Sequence, residues 1–178
     1  MKNVFIVALL ISTLASWKTD QIKLEKKIVL NGKVEILLPK DFGIMPEEML
    51  KFKYPRTQRP TLVYSDEDGK INVAFNHSSS KATQQQMDIY KDYFISAFKN
   101  AHPNAEWLSN GVKKINGRDI GYLELITQAI DTKIYNLIFY TDLDGHLLLT
   151  TFNCTIGEKE KWFSTAHQIM NSLTLNEQ

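Results

Sequence analysis

The side chains that most often transfer protons or hold metals are scattered along this sequence. Its four histidines are His77, His102, His146 and His167, and no two of them stand at a spacing typical of a metal site. No HExxH, CxxC, GxSxG or glycine-rich phosphate motif occurs. A hydrolase with a Ser-His-Asp triad assembled from distant residues stays open as an alternative, because such triads are defined by geometry and not by spacing. The sequence predicts a protein that is not an enzyme and uses no cofactor and no metal.

Two acidic segments have the composition of calcium loops. They are Asp66-Glu67-Asp68-Gly69 and Asp142-Leu143-Asp144-Gly145. Each lacks the remaining ligands and the distal glutamate of a calcium-binding loop. Aspartate and glycine are also the residues that tight turns require. We interpret both segments as hairpin turns.

One basic segment, residues 51–60, has an unusual composition. It holds four basic residues, two aromatic residues and two prolines, and no acid. Prolines restrict the backbone, and a preorganised segment binds with a smaller entropic cost. Arginine and tyrosine are enriched in binding hot spots. The predicted partner-binding residues, for another envelope or secreted protein, are Lys51, Lys53, Tyr54, Arg56 and Arg59. In the alternative interpretation the segment is a solvated connector, and its cations pair with Glu47, Glu48, Asp66 and Glu67.

The single cysteine, Cys154, excludes an internal disulfide. Strand alternation places its thiol on the same face as Phe152. We therefore expect a buried thiol without a chemical role, because thiol reactivity needs exposure and an electropositive surrounding.

The N-terminus has the three parts of a secretion signal. Lys2 precedes an apolar run from Val4 to Ala15, which is too short to span a membrane stably. Residues 1–15 are predicted to be a signal peptide cleaved after Ala15, with a retained anchor as the alternative. Residues 16–26 are predicted to be frayed, and residues 27–178 to form a single domain. The protein is expected in the periplasm or outside the cell.

Charge gives little support to nucleic acid or lipid as a partner. Removing Lys2 with the signal peptide leaves 20 basic and 20 acidic residues. A neutral domain exerts little long-range attraction on either polyanion. We expect no nucleic acid, and no stable membrane span after cleavage.

Alternating apolar residues interrupted by turn residues predict four hairpins. The first covers Lys27 to Leu38, with a two-residue turn at Asn31-Gly32, and Pro39 ends its second strand. The other three join Thr61–Ser65 to Lys70–Asn76, Trp107–Ile115 to Arg118–Gln128, and Lys133–Thr141 to His146–Thr155. The segment Ile134–Tyr140 is apolar on both faces, which predicts a central strand covered on both sides.

Three helices are predicted. A short one spans residues 46–51, with a proline in its first turn. The second spans residues 84–100, begins with a Thr83–Gln86 capping box and carries an apolar stripe of Met87, Tyr90, Phe94 and Phe98. The third spans residues 157–172, is capped by Thr155 and Glu158, and directs inward Trp162, Ala166, Ile169 and Leu173. Together the elements predict an α+β fold, an antiparallel sheet covered by helices.

This order of elements resembles the PsbP-like superfamily, which includes bacterial DcrB-like proteins and photosystem II extrinsic subunits. Two segments carry the resemblance: a strand that runs into a proline, Val34-Glu35-Ile36-Leu37-Leu38-Pro39-Lys40-Asp41-Phe42, and a strand before the last helix, Asp144-Gly145-His146-Leu147-Leu148-Leu149-Thr150. The resemblance implies an α-β-α sandwich and a role in binding or assembly. It implies no particular site residue, because no functional motif of the family can be aligned here.

The function predicted from the sequence is therefore a non-catalytic exported module for binding or assembly. It would act on a protein or envelope component through the segment around Arg56. Besides the hydrolase, a carrier of a small apolar ligand stays open as an alternative. A carrier would hold its ligand in an apolar pocket between sheet and helix, lined by residues such as Phe94 and Phe139.

Overall fold

The structure, a computed structural model, describes residues 21–55 and 59–176. The predicted signal peptide, residues 16–20 of the predicted frayed segment, and Arg56 lie outside these ranges. No helix in the described ranges has the length and apolar character needed to cross a membrane.

A seven-stranded antiparallel sheet forms the centre of the fold. Its spatial order is β3-β4-β5-β9-β8-β7-β6. The strands are β3 (Gly43–Ile44), β4 (Leu62–Ser65), β5 (Asn72–Lys81), β6 (Glu106–Ile115), β7 (Arg118–Gln128), β8 (Lys133–Leu143) and β9 (His146–Thr155). The helices are α1 (Glu47–Lys53), α2 (Met87–Ala101) and α3 (Lys159–Asn171), and short 3₁₀ turns precede α2 and α3.

A second sheet is made by the N-terminal hairpin and the C-terminal end of the described chain. It contains β1 (Leu24–Val29), β2 (Val34–Pro39) and β10 (Thr174–Leu175), with β2 in the middle. Leu24 pairs with Pro39, so the strand begins three residues before the predicted Lys27. Residues 24–26, which were predicted to be frayed, belong to this strand because β2 supplies a pairing partner along its whole length.

The predicted hairpins are present, but the two-residue turn predicted at Asn31-Gly32 is wrong. Val29 pairs with Val34, so the loop spans four residues, 30–33, and Leu30 adopts a positive φ together with Asn31 and Gly32.

In two of the other hairpins the turn residues explain the register. Asn116 and Gly117 connect β6 to β7 with φ values of 47° and 85°. Asp144 and Gly145 connect β8 to β9 with φ values of 53° and 73°. Positive φ at both central positions is what a two-residue hairpin turn of type I′ needs, and Asn, Asp and Gly adopt it at low cost. The β8 strand therefore extends to Leu143, two residues beyond the predicted end.

Strand β8 lies near the centre of the sheet, as the two-sided apolar pattern predicted. Its neighbours are β7 and β9. On one face Tyr135 and Phe139 join the core that contains Trp162 of α3. On the other face Ile138 and Tyr140 join the core beneath α2. The sheet has helices on both faces, which confirms the predicted α+β sandwich.

The two long helices begin in different ways. The backbone N–H of Thr83 donates to Oε1 of Gln86 at 3.0 Å, and a capping box is formed as predicted. Thr155 occupies the corresponding position before α3 but makes no side-chain capping bond, so the second predicted cap is wrong. Thr155 is still part of β9, and a 3₁₀ turn separates it from α3. The inward-facing residues predicted for the last helix are buried: Trp162, Ala166, Ile169 and Leu173.

The α2 face of the sheet is covered unevenly. Helix α2 packs on β6 and β7. The short helix α1 packs over Val63 and Ala74, at the β4–β5 side of the same face. Between these two helices, neither helix covers part of the β5–β9 strand pair, and a groove lies there.

Candidate functional site

The predicted basic segment begins inside helix α1. The helix was predicted to end at Lys51 but continues to Lys53, and Tyr54 follows it. Lysines in the last helical turn interact favourably with the negative end of the helix dipole, which accounts for the extra residues. Arg56 lies outside the described residues.

Three described residues of this segment donate side-chain hydrogen bonds, two of them to strand β5 and the turn before it. Lys53 Nζ donates to the Gly69 carbonyl in the β4–β5 turn. Tyr54 OH donates to Asn72 Oδ1 of β5 at 3.3 Å. Burial lowers the pKa of Lys53 and raises the pKa of Tyr54. Arg59 Nε donates to the Tyr54 carbonyl at 3.0 Å, which holds the two ends of the segment together.

The remaining cationic contacts of the segment converge on Glu47. Its Oε1 lies 3.2 Å from Arg59 and 3.6 Å from Lys51. Glu47 is one of the acids that the connector interpretation named. Exposed pairs of this kind contribute little stability, about 0–1 kcal/mol. These contacts anchor Lys51, Lys53, Tyr54 and Arg59, and their role in binding a partner stays a prediction.

An open groove of about 530 Å³ lies between α2 and strand β5, and we call it the ligand groove. Its apolar lining comes from one helix and one strand: Ile89, Tyr90, Tyr93, Phe94, Leu147 and Leu149. Tyr93 is 62% exposed and Ile89 is 67% exposed, so two large apolar side chains lie side by side on the outer surface of α2. One helical turn separates them, which makes them neighbours on the helix surface.

The opposite wall of the ligand groove is polar. It consists of Asn76, Ser78 and Ser80 of β5, in a stretch where the pairing with β9 shifts register after His77, together with Gln86 before α2. Ser78 Oγ donates to the Leu147 carbonyl at 3.3 Å. The structure contains only part of the apolar pocket that was predicted for a carrier. Phe94 lines the groove, but Phe139 is fully buried in the core on the α3 face.

A buried carboxylate lies on the α3 face of the sheet. Glu124 of β7 is 3% exposed. Its Oε2 accepts a hydrogen bond from Ser109 Oγ at 2.6 Å, and its Oε1 accepts one from Tyr135 OH at 2.6 Å. His167 Nε2 of α3 lies 3.2 Å from Oε1. Burial alone would raise the pKa of Glu124, but the bonds from His167, Ser109 and Tyr135 outweigh burial and lower it to about 2.

This cluster contains a serine, a histidine and an acid, but it does not connect them as a hydrolase does. In a catalytic triad the histidine bonds to the serine and the acid orients the histidine. Here Glu124 occupies the middle and bonds to both Ser109 and His167. A carboxylate with a pKa near 2 is a weak base at neutral pH. The arrangement can hold strands and helix together, but it offers no activated serine.

The other nucleophile and base candidates have structural contacts. Cys154 is fully buried and free, and burial raises the pKa of its thiol to about 12. His77 Nε2 lies 3.0 Å from the Leu143 carbonyl, and His146 Nδ1 lies 2.9 Å from the Asp144 carbonyl. These contacts place both histidine rings against the backbone of the β8–β9 hairpin.

A second cavity, of about 740 Å³, lies where the β4–β5 turn meets the start of α3. Acidic and basic side chains share its lining. Asp68 and Lys70 pair at 2.7 Å, which lowers the pKa of Asp68 and raises the pKa of Lys70. Across the described residues, no three His, Cys, Asp or Glu side chains are placed to hold a metal ion. With both charge signs side by side, this lining favours no class of ligand.

The sequence contains signals for the two features that the prediction missed. Glu124 stands between Leu123 and Leu125 in an apolar strand, a pattern that indicates a buried charge with partners. Ile89 and Tyr93 lie beside the predicted stripe of α2 and widen its apolar surface beyond what one packed face needs.

Comparisons with known proteins identify the fold. No family model and no curated protein matches the sequence. The solution structure of cyanobacterial PsbP (CyanoP) from Synechocystis matches with a TM-score of 0.64 at 14% identity, over 88% of this chain and 94% of that one. LpqN, described as involved in cell envelope biogenesis of Mycobacterium tuberculosis, matches with a TM-score of 0.53 at 12% identity, over 93% of this chain and 98% of that one.

A Bacteroides thetaiotaomicron structure matches with a TM-score of 0.54 at 13% identity. The match covers 86% of this chain but 48% of that one, so the present chain spans about half its length. Identities this low establish shared architecture and carry no function with them. The order of the strands, their antiparallel pairing and the helices on both faces agree with these matches, and the chain therefore has the PsbP-like fold.

Proposed function

We propose that this protein is a non-catalytic exported module that binds a component of the cell envelope in the ligand groove. The observation that carries the proposal is the open part of the β5–β9 pair between α1 and α2. A groove of about 530 Å³ falls within the range of about 300–1,000 Å³ that small-ligand sites occupy.

The exposed side chains of α2 support a binding role for this surface. Ile89 and Tyr93 are each more than half exposed, although the rest of the helix stripe packs on the sheet. Large apolar side chains grouped on a surface mark interaction sites more often than isolated ones do. Tyr93 also contacts Phe94 with ring centroids 5.5 Å apart, so its ring is supported from below and can bind with little loss of entropy.

The envelope context rests on two independent supports. The N-terminal sequence has the composition of a secretion signal. One protein of the same fold, LpqN, is described as involved in cell envelope biogenesis. A periplasmic or extracellular location would bring the ligand groove into contact with envelope components.

The basic segment is a second candidate surface, for a protein partner. Phe52 within it is 86% exposed and stands between Lys51 and Lys53. An aromatic ring flanked by cations is a composition found at protein interfaces. The predicted partner-binding residues Arg56 and Arg59 would complete this surface.

The proposal is tested by NMR titration of the ¹⁵N-labelled mature protein with fractions of a solubilised envelope. Backbone amide shifts confined to the groove, at Ser78, Ser80 and Gln86, are the expected result. The Tyr93→Ala variant should lose these shifts. Phe52→Ala removes an exposed aromatic ring outside the groove and serves as the matched control. Envelope fractions that leave every groove resonance unchanged, or shift them equally in Tyr93→Ala, would contradict the proposal.

A further inference from the structure

We infer that the ligand groove is built for a neutral saccharide. The inference rests on the proposed function, because it names the ligand class of the same groove. It goes further by using the chemistry of the two walls, one aromatic and one uncharged polar, to exclude the other ligand classes.

The lining of the groove is uncharged, which argues against an ionic ligand. None of the residues that line the groove carries a charge; the polar ones are Asn76, Ser78, Ser80 and Gln86. Recognition of a carboxylate or phosphate usually uses arginine or lysine, because a charged donor forms the stronger hydrogen bond. Recognition of a cation that can donate hydrogen bonds usually uses a carboxylate for the same reason. The lining supplies neither kind of charge. Aromatic rings can hold a quaternary ammonium group, but such a group cannot form hydrogen bonds with the polar wall.

The polar wall argues against a purely apolar ligand. In the described part of the chain, neither the Asn76 side-chain amide nor Gln86 Nε2 has a hydrogen-bond partner, although Gln86 Oε1 accepts from Thr83. An alkyl chain laid against these amides would remove their water without replacing the hydrogen bonds, which costs free energy. A ligand that carries hydroxyl groups replaces those bonds, since amide and hydroxyl side chains both donate and accept.

The aromatic wall fits the C–H face of a sugar ring. A pyranose presents C–H groups on its faces and hydroxyl groups around its edge. Tyr90, Tyr93 and Phe94 offer ring surface, with Tyr90 and Phe94 stacked at 5.9 Å and Phe94 held by the buried Tyr140 at 5.0 Å. Tyrosine is suited to such amphipathic contacts because its ring is apolar and its hydroxyl is polar.

Each wall presents several side chains along its length, which suits an oligomeric ligand. Asn76, Ser78 and Ser80 line the groove along β5, although a register shift between His77 and Lys81 interrupts the regular alternation of the strand. Tyr93 lies one helical turn from Ile89 on the facing helix. A chain of two or three sugar units along β5 would meet polar groups on one side and apolar surface on the other.

The test uses defined probes with the full mature protein. Cellotriose, maltotriose and triacetylchitotriose represent neutral saccharides, and trigalacturonate represents an anionic one. Laurate represents an apolar ligand, with the uncharged dodecanol beside it to control for the carboxylate. Binding is followed by NMR at Ser78, Ser80 and Gln86. At least one neutral trisaccharide should shift these resonances, and Tyr93→Ala should weaken its binding by about tenfold. Asn76→Leu should weaken the saccharide and favour laurate, whereas the control Phe52→Ala should change neither.

Three results would overturn the inference. These are laurate binding in the groove with no saccharide binding, trigalacturonate binding at least as tightly as the neutral probes, and saccharide binding that Tyr93→Ala leaves unchanged. The same spectra separate this inference from the proposed function. If envelope fractions shift the groove resonances and all neutral saccharides fail, the ligand class is wrong and the binding site stands. If the envelope fractions also fail, both are wrong.

Discussion

The phenolic hydroxyl of Tyr135 donates a hydrogen bond of 2.6 Å to Oε1 of Glu124, across two neighbouring strands of the main sheet. Glu124 pairs with Leu137, so Tyr135 is its diagonal neighbour on the same face. Ser109 of β6 and His167 of α3 reach the same carboxyl group. One buried carboxylate therefore ties three strands and a helix together, and its charge is retained because these polar groups replace the water that it lost.

We expect the stability of the protein to fall in acid because of Glu124. Its pKa is about 2, below the usual value of 4.5, so the unfolded chain binds a proton first as the pH falls. The stabilisation is present above pH 4.5 and is lost progressively toward pH 2. A shift of this size in a side chain that is 4% exposed corresponds to about 3 kcal/mol. Urea midpoints measured between pH 7 and pH 2 follow the loss.

The Glu124→Gln variant is the matched control for this pH dependence. It should be less stable at pH 7, because an amide cannot accept all the hydrogen bonds that the carboxylate accepts. Its stability should also change less between pH 5 and pH 2 than that of the parent. Parallel pH profiles for the two proteins would show that Glu124 is not the group responsible.

The Cys154 thiol should not react while the protein is folded. It is fully buried, and burial raises its pKa to about 12, so little thiolate exists at neutral pH. A thiol reagent such as Ellman's should label less than a tenth of the native protein during the time in which it labels all of the urea-unfolded protein. Fast, complete labelling of the native protein would contradict the burial of this strand.

Replacing Phe94 by alanine should destabilise the protein by about 2–4 kcal/mol, somewhat less than the about 3–5 kcal/mol usual for fully buried aromatic residues. Phe94 is half-buried and packs edge-to-face on Tyr140 with ring centroids 5.0 Å apart. Urea denaturation measures the loss. Tyr93→Ala is the adjacent control, and since Tyr93 is 62% exposed it should cost less than about 1 kcal/mol. Equal losses would mean that the helix is rotated relative to the sheet.

The sequence predicted those elements whose local chemistry and burial agree. Asn116-Gly117 and Asp144-Gly145 can adopt positive φ, and strict alternation follows each turn. Residues 134–140 are apolar on both faces, and the fold covers both faces. The strands β3 and β10 could not be predicted, because two residues are too few to show a period.

The two sites depend on contacts between residues that are far apart in the sequence, and no local pattern predicts such contacts. Glu124, Ser109 and His167 meet only when β6 and β7 are in register and α3 lies over them, and His167 is 43 residues away from Glu124. The ligand groove depends on where α1 and α2 stop covering the sheet. Periodicity marks Ile89 and Tyr93 as apolar, but the spacing between helices decides whether they are buried.

Export should produce a mature chain that begins near Ser16. The apolar run from Val4 to Ala15 is about a dozen residues, too short for the about 20 that a helical anchor needs. N-terminal sequencing of the protein recovered outside the cytoplasm measures the cleavage site. An intact Met1 on a soluble cytoplasmic pool would contradict the signal peptide, and an intact Met1 on a membrane fraction would favour the retained anchor.

The two arginines of the basic segment should separate a structural role from a binding role. Arg59→Ala removes hydrogen bonds to the Tyr54 carbonyl and to Glu47, and its side chain is 31% exposed. We expect it to cost about 1 kcal/mol of unfolding free energy. If Arg56 acts only in binding a partner, Arg56→Ala should leave the urea midpoint nearly unchanged. Urea denaturation of both single variants tests this difference.

If the segment binds a protein partner, Arg56→Ala should weaken capture of that partner by about 2 kcal/mol or more, the usual loss at a hot-spot arginine. Arg56→Lys should restore part of the loss, because lysine keeps the charge but lacks the planar guanidinium. Raised salt should imitate the alanine variant if the contact lies at a solvated rim. The partner is identified by crosslinking from residue 57, and its affinity is measured with purified components. Unchanged affinity for Arg56→Ala, together with a loss of stability for Arg59→Ala, would assign the segment a purely structural role, in which Arg59 connects Tyr54 at the end of α1 with Glu47 at its start.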